Sequence, residues 1–281
     1  NNIFKINAAP PSCEYPDHLS TNAIRVADYG EALGSPRGCF GNRIYNNKFY
    51  IRGKKFKEYP DYIPMASAFF FSTSAGENYI FGNEIFIEQE DPDTDAEAYA
   101  FYIGNALGGQ LYNNHITTNV TPIWVACGYG SATGTLITGN TIKKSPDAKT
   151  DFQPVRMGWI EREDCLAKNI EFKSNVFSGL DFGIEATDQH HSYAVYWTLE
   201  VKVLDKSGEE VQGAEVRILD HNGLEVLNRT TGDSGAIRVE LPEYSVDGES
   251  VAWFSPYTVI VNKKKQEVTL NANQEISITT R

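Results

Sequence analysis

One short phrase recurs along the first part of the chain: an aliphatic or aromatic residue, two residues, Asn, any residue, then Ile, Val or Phe. It reads Leu19-Asn22-Ile24, Ile44-Asn47-Phe49, Ile80-Asn83-Ile85, Leu111-Asn114-Ile116, Ile137-Asn140-Ile142 and Phe172-Asn175-Phe177. The Asn-to-Asn steps are 25, 36, 31, 26 and 35 residues. Between these phrases lie second apolar runs, at Ala68–Phe71, Ala100–Ile103, Ile123–Ala126 and Arg156–Trp159. Self-similarity at this spacing constrains the fold more than any other feature. It predicts coils that bury their apolar faces on one another in a solenoid.

The residue before the Asn is usually small or amide-bearing, as at Gly82, Asn113, Gly139 and Ser174. Asn tolerates left-handed backbone at a bend, and its amide can bond to the next Asn of a stack. With its Gly-Asn-x-Ile phrase, the segment 1–195 resembles the right-handed parallel β-helix (pectate-lyase-like) family. Asn1-Asn2-Ile3-Phe4 repeats the pattern of Asn46-Asn47-Lys48-Phe49, which puts Asn2 at the Asn position. The chain is therefore expected to begin inside a coil, as the C-terminal part of a longer protein.

Near Tyr196 the phrase stops and strict alternation begins, at Leu199, Val201, Val203, Val216, Ile218, Ile237 and Val239. The intervening turns are Asp205–Gly208, His221-Asn222-Gly223 and Thr231–Gly235. Short strands at this spacing predict a β-sandwich over 196–281, and Asn222-Gly223 is a hairpin signal. The segment looks like a carboxypeptidase-regulatory-like, transthyretin-like or Ig-like domain, which implies a spacer or stalk and brings no catalytic residues. The whole is read as all-β.

Composition bears on partners and compartment. The 37 Asp and Glu outnumber the 25 Lys and Arg, for a net charge of −12. That argues against nucleic acid and acidic membranes. No apolar run reaches the length of about 18 residues that a membrane helix needs. The first residue is Asn, so a missing signal sequence excludes nothing. Cys13, Cys39, Cys127 and Cys165 have no zinc-type spacing. They suggest disulfides between neighbouring coils or buried thiols, with Cys13–Cys39 the favoured pair.

Several groups carry chemistry. Asp91, Asp93, Asp95 and Glu97 could hold Ca²⁺, a cation that prefers oxygen ligands, although the loop lacks an EF-hand glycine and suits a solvated acidic loop better. Tyr102, Trp124, Tyr129 and Trp159 fall on consecutive coils and could form a sugar-binding ladder, or simply fill the core. Arg156, Glu161 and Arg162 are the candidate catalytic groups, though nothing in their spacing selects them. His190-His191 reads best as an exposed or interdomain pair. Asn119-Val120-Thr121 and Asn228-Arg229-Thr230 are glycosylation sequons. Polygalacturonase-like members of the resembled fold carry an Asp-Asp pair, a Gly-His-Gly and an Arg-x-Lys, which this sequence lacks.

The expected function is a secreted, periplasmic or cell-surface structural protein that binds polysaccharide or cell-surface components and self-associates. A polysaccharide lyase or glycoside hydrolase fragment is the alternative, on fold analogy alone. A phage tail-spike segment is a further one.

Overall fold

The computed structural model describes residues 1–10, 20–27, 39–59, 61–72, 75–91, 97–128, 130–159, 166–186 and 190–280. Every regular element among them is a β-strand. The chain divides into two compact units, Asn1–Ile170 with Val176–Ser192, and Glu171–Asn175 with Tyr193–Arg281.

Three sheets build the first unit. The first sheet runs β1 (Ile3–Asn7), β4 (Lys48–Gly53), β7 (Glu84–Gln89), β11 (His115–Thr118), β15 (Thr141–Lys144) and β18 (Val176–Ser178). The second takes β3 (Arg43–Tyr45), β6 (Tyr79–Phe81), β10 (Gln110–Tyr112), β14 (Leu136–Thr138) and β17 (Ala167–Lys173). Two short strands, β9 (Ala106–Leu107) and β13 (Ala132–Thr133), extend it. The third runs β2 (Ser20–Val26), β5 (Met65–Phe71), β8 (Glu97–Ile103), β12 (Ile123–Val125), β16 (Val155–Met157) and β19 (Ile184–Ala186). The pairings are parallel. In chain order the strands fall in the first, third and second sheets, then in the first again, and this cycle repeats along the unit.

One corner of the cycle is invariant. From the second sheet to the first the connection is always the two residues 46–47, 82–83, 113–114, 139–140 or 174–175. The first of each pair has left-handed backbone: φ is 56° at Asn46, 62° at Gly82, 53° at Asn113, 61° at Gly139 and 50° at Ser174. The second is the Asn of the repeat. The left-handed residue therefore sits one position earlier than the sequence reading put it. Only the hydrogen bonding falls to the repeat Asn.

That bonding is a ladder. The Oδ1 of Asn83 accepts from the backbone N–H of Asn47 at 3.0 Å and from its Nδ2 at 3.3 Å. Asn2 donates to Asn47, Asn83 to Asn114 and Asn114 to Asn140 in the same way. The Nδ2 groups of Asn47, Asn83, Asn114 and Asn140 also donate to carbonyls of the second-sheet strands, as Asn83 does to Ile44 and Phe81. Asn2 thus occupies a ladder position. Asn22 does not: it lies within β2, paired with Ser67 across the third sheet, and its Oδ1 accepts from the Ser67 hydroxyl.

Inside the cycle, alternate residues stack in buried rows. The first sheet contributes Phe49, Ile85, Ile116 and Ile142, and the third contributes Phe69, Phe101, Ile123 and Val155. Each such side chain contributes about 1.5–3 kcal/mol on leaving water.

In the second unit, which takes β20 (His191–Leu204) from Tyr193 onward, that strand buries Val195, Trp197, Leu199, Val201 and Val203 in strict alternation. It pairs in parallel with β27 (Gln274–Thr279), while β23 (Ala236–Asp247) pairs antiparallel with β24 (Ser250–Trp253). A four-stranded antiparallel sheet takes β22 (Glu225–Thr230), β21 (Glu215–Leu219), β25 (Tyr257–Val261) and β26 (Lys264–Val268). Asn222-Gly223 joins β21 to β22, with Gly223 at φ 80°. Asp220 fastens that turn by accepting from the N–H groups of Asn222 and Leu224 at 2.9 Å.

Candidate ligand-binding site

Register in the third sheet places Arg25, Phe70, Tyr102, Trp124, Arg156 and Glu185 side by side on β2, β5, β8, β12, β16 and β19. Since alternate residues face opposite sides of a strand, this row stands opposite Phe69, Phe101, Ile123 and Val155. The aromatic rings touch in sequence. Phe70 stacks on Tyr102 at 4.5 Å, Tyr102 meets Trp124 edge-on at 5.2 Å, and Trp124 meets Trp159 at 5.3 Å. A guanidinium lies at each end, Arg25 at 5.2 Å from the Phe70 ring and Arg156 at 4.2 Å from the Trp124 ring. Both distances suit cation–π attraction.

Four further contacts hold the site. The Trp124 indole N–H donates to the Gly158 carbonyl at 3.0 Å, fixing the ring under Arg156. Gly128 leaves room for Trp159, because a Cβ there would meet the indole at 2.4 Å. Glu97 stands 3.6 Å from the Arg156 guanidinium. Buried Tyr99 packs beside Trp124 with ring centroids 5.5 Å apart. Burial pushes the Tyr99 phenol well above its ordinary range, and the Glu97 charge adds to the rise while Arg156 opposes it.

The residues singled out from sequence divide as follows. Tyr102, Trp124, Trp159 and Arg156 come together. They do not form an open ladder, because Tyr102 is 2% exposed and Trp124 4%. Arg25 and Glu185 at the two ends of the row are exposed, and Met65, Glu97, Arg156 and Trp159 are partly so. Tyr129, Glu161 and Arg162 lie outside the described residues, as do Asp93, Asp95, Cys13 and Cys165. Glu97, one of the four carboxylates that could hold Ca²⁺, stands in an ion pair with Arg156. Asp91 lines a separate groove with Lys54, Lys55, Lys57 and Lys149. Among the described residues no three His, Cys, Asp or Glu side chains gather as a metal site.

The favoured Cys13–Cys39 pair does not form: Cys39 carries a free thiol, and Cys127 is disulfide-bonded. Closeness in sequence misled that choice, because a bridge depends on which strands the fold brings together. His190 is exposed and His191 buried. Of the sequons, Asn119 is buried with its Nδ2 donating to Gln89 at 2.9 Å, whereas Asn228 is exposed on β22.

Arg25, Phe70 and Tyr99 were missed from sequence. The signal that finds Arg25 and Phe70 is the strand register, since they are unremarkable until their strands are aligned. Other aromatic rows exist on the first unit. Tyr45, Phe81 and Tyr112 stack at 4.8 and 4.7 Å with nearly parallel rings on the second sheet, and Tyr50 stacks on Phe86 on the first. Parallel rings spend their faces on each other, which leaves mostly edges for a ligand.

No family model and no curated protein sequence matches the chain. Among solved structures, the Bacillus anthracis TIE protein is similar over 37% of this chain and 19% of its own length, at 15% identity and a TM-score of 0.25. A likeness at that score carries no argument about fold or function. Among the described residues no helix is long and apolar enough to cross a membrane.

Proposed function

We propose that this chain is a glycan-binding structural protein of the cell exterior. Its first unit is a right-handed parallel β-helix and its second an Ig-like β-sandwich that serves as a stalk. The repeated three-sheet cycle and the two-residue Asn corner support the β-helix reading. Strict alternation in β20 and the antiparallel sheet of β21, β22, β25 and β26 support the sandwich. The disulfide at Cys127 favours an oxidising compartment outside the cytoplasm.

The observation that carries glycan binding is the arginine-capped aromatic row of the third sheet, with the partly buried Trp159 packed beside it. An indole face takes the apolar face of a pyranose, while charged groups beside it take the sugar's polar rim.

The test is titration of the purified full chain with neutral and acidic polysaccharides, with and without Ca²⁺. Binding is read together with release of reducing and unsaturated ends. Binding without product is the expected outcome. Product would replace this reading with a lyase or hydrolase, and silence from a folded chain would leave a structural role without a glycan partner.

A further inference from the structure

We infer that the second unit self-associates through β24, which pairs antiparallel with β24 of a second copy about a two-fold axis at Ala252. The inference goes beyond glycan binding and does not depend on it.

Among the described residues β24 is paired on one side only, with β23. All four of its residues are exposed, Val251 at 50% and Trp253 at 53%. None is charged. The other edge strands of the second unit do carry charge: Glu225 and Arg229 on β22, Lys264, Lys265 and Glu267 on β26, and Glu275 on β27. Charged side chains are a usual guard against edge-to-edge pairing. β24 lacks that guard and presents a valine and a tryptophan instead.

Backbone geometry sets the register. Asp247 pairs with Ser250 across the β23–β24 turn, and the Phe254 N–H donates to the Glu243 carbonyl at 2.9 Å. Alternation along an antiparallel strand then turns the backbone groups of Ser250 and Ala252 toward β23, and those of Val251 and Trp253 outward. With a two-fold axis at Ala252, Val251 of each copy lies opposite Trp253 of the other. Each such pair exchanges two N–H···O=C bonds. The side chains match as well. Val251 and Trp253 share a face of the hairpin with Val246 and Tyr244, and Tyr244 packs on Trp253 at 4.9 Å. Each indole, held by Tyr244, then meets the valine of the other copy in an aromatic–β-branched pair.

Charge selects a second copy as the occupant. At −12, two copies repel unless their carboxylates stay apart. Pairing about Ala252 sets Glu249 of one copy opposite Ser255 of the other. The two Glu249 positions are then about 20 Å apart along the strands, beyond the screening length of about 8 Å at physiological salt. A four-residue edge buries less than the roughly 1,200 Å² of a lasting complex, so the dimer exchanges with monomer.

The experiment is sedimentation equilibrium of the full chain from micromolar to millimolar concentration. It compares the natural chain with Val251→Pro, Ala252→Lys, Ala252→Glu and an equal mixture of the last two. Expected is a monomer–dimer equilibrium in the natural chain. Val251→Pro removes an outward N–H, and should abolish the dimer while keeping the bonds to β23. Ala252→Lys and Ala252→Glu each set like charges face to face at the axis, and should weaken the dimer about threefold or more. The mixture should associate more tightly than either variant alone, a rescue that misfolding cannot produce.

A natural chain that stays monomeric throughout would overturn the inference and leave β24 to a strand of another protein. A dimer equally strong in every variant would put the contact on a different surface and overturn it too. A mixture no tighter than its components would overturn the axis at Ala252.

Discussion

Asn83 accepts two hydrogen bonds, donates to two carbonyls and has no exposure to solvent. Asn83→Ala orphans the buried N–H of Asn47, a loss of about 1–3 kcal/mol for that group alone. Urea unfolding should show the drop. Asn22→Ala, off the ladder, should cost less than about 1 kcal/mol. Tyr99 tests the local electrostatics. Its folded pKa is raised above the ordinary 10.0, so the folded state holds the phenolic proton more tightly than the unfolded state. Its stabilising contribution is intact below about pH 10 and is lost as the pH climbs toward the folded value. Tyr99→Phe should therefore flatten the fall in melting temperature between about pH 8 and about pH 11. Tyr244 and Tyr257, also raised by burial, keep the rest of that fall. The ladder residues were legible from sequence because a repeated Asn needs only counting. The partnership of Arg156 with Trp124 was not, because it depends on which residues a parallel register brings abreast.

The two-residue corner is the element that holds the repeat in step. Gly82 has φ 62°, and a Cβ there would lie 2.8 Å from the Asn46 Oδ1. Gly82→Ala combines left-handed strain, about 1–2 kcal/mol, with that clash. Gly213→Ala, with φ 74° and open space around it, meets the strain alone. Thermal melts should rank Gly82→Ala below Gly213→Ala. In β8, Phe101→Ala should destabilise by about 3–5 kcal/mol, because the fully buried ring stacks on Phe69 at 5.3 Å. The apolar runs at Ala68–Phe71 and Ala100–Ile103 were legible as strands, since they are continuous and flanked by turns. That both faces of β5 and β8 are covered was harder to foresee: periodicity cannot tell a doubly buried strand from one that presents a ladder to solvent.

Division into two compact units implies that unfolding of the whole chain is not two-state. Calorimetry should give an enthalpy larger than the van't Hoff value from the same melt; equality would mean one cooperative unit. Thiol chemistry supplies a second global measurement. In the native chain an alkylating reagent should modify Cys39 and spare Cys127 until reductant is added, read by peptide mass. The cysteine pairing was illegible from sequence, since four cysteines allow several connectivities and spacing does not choose among them.

The constancy of the Asn corner separates repeat length from strand alignment. Successive ladder residues lie 45, 36, 31 and 26 positions apart, yet their backbone bonds stay at 3.0–3.1 Å. The differences fall on the other connections, such as 54–64, 90–96, 119–122 and 145–154 between the first and third sheets. A guest peptide spliced into 145–154 should therefore lengthen one repeat while leaving neighbouring strands in register. Evolution, or a designer seeking a display scaffold, can vary those segments freely as long as the pair of residues at each Asn corner is left alone.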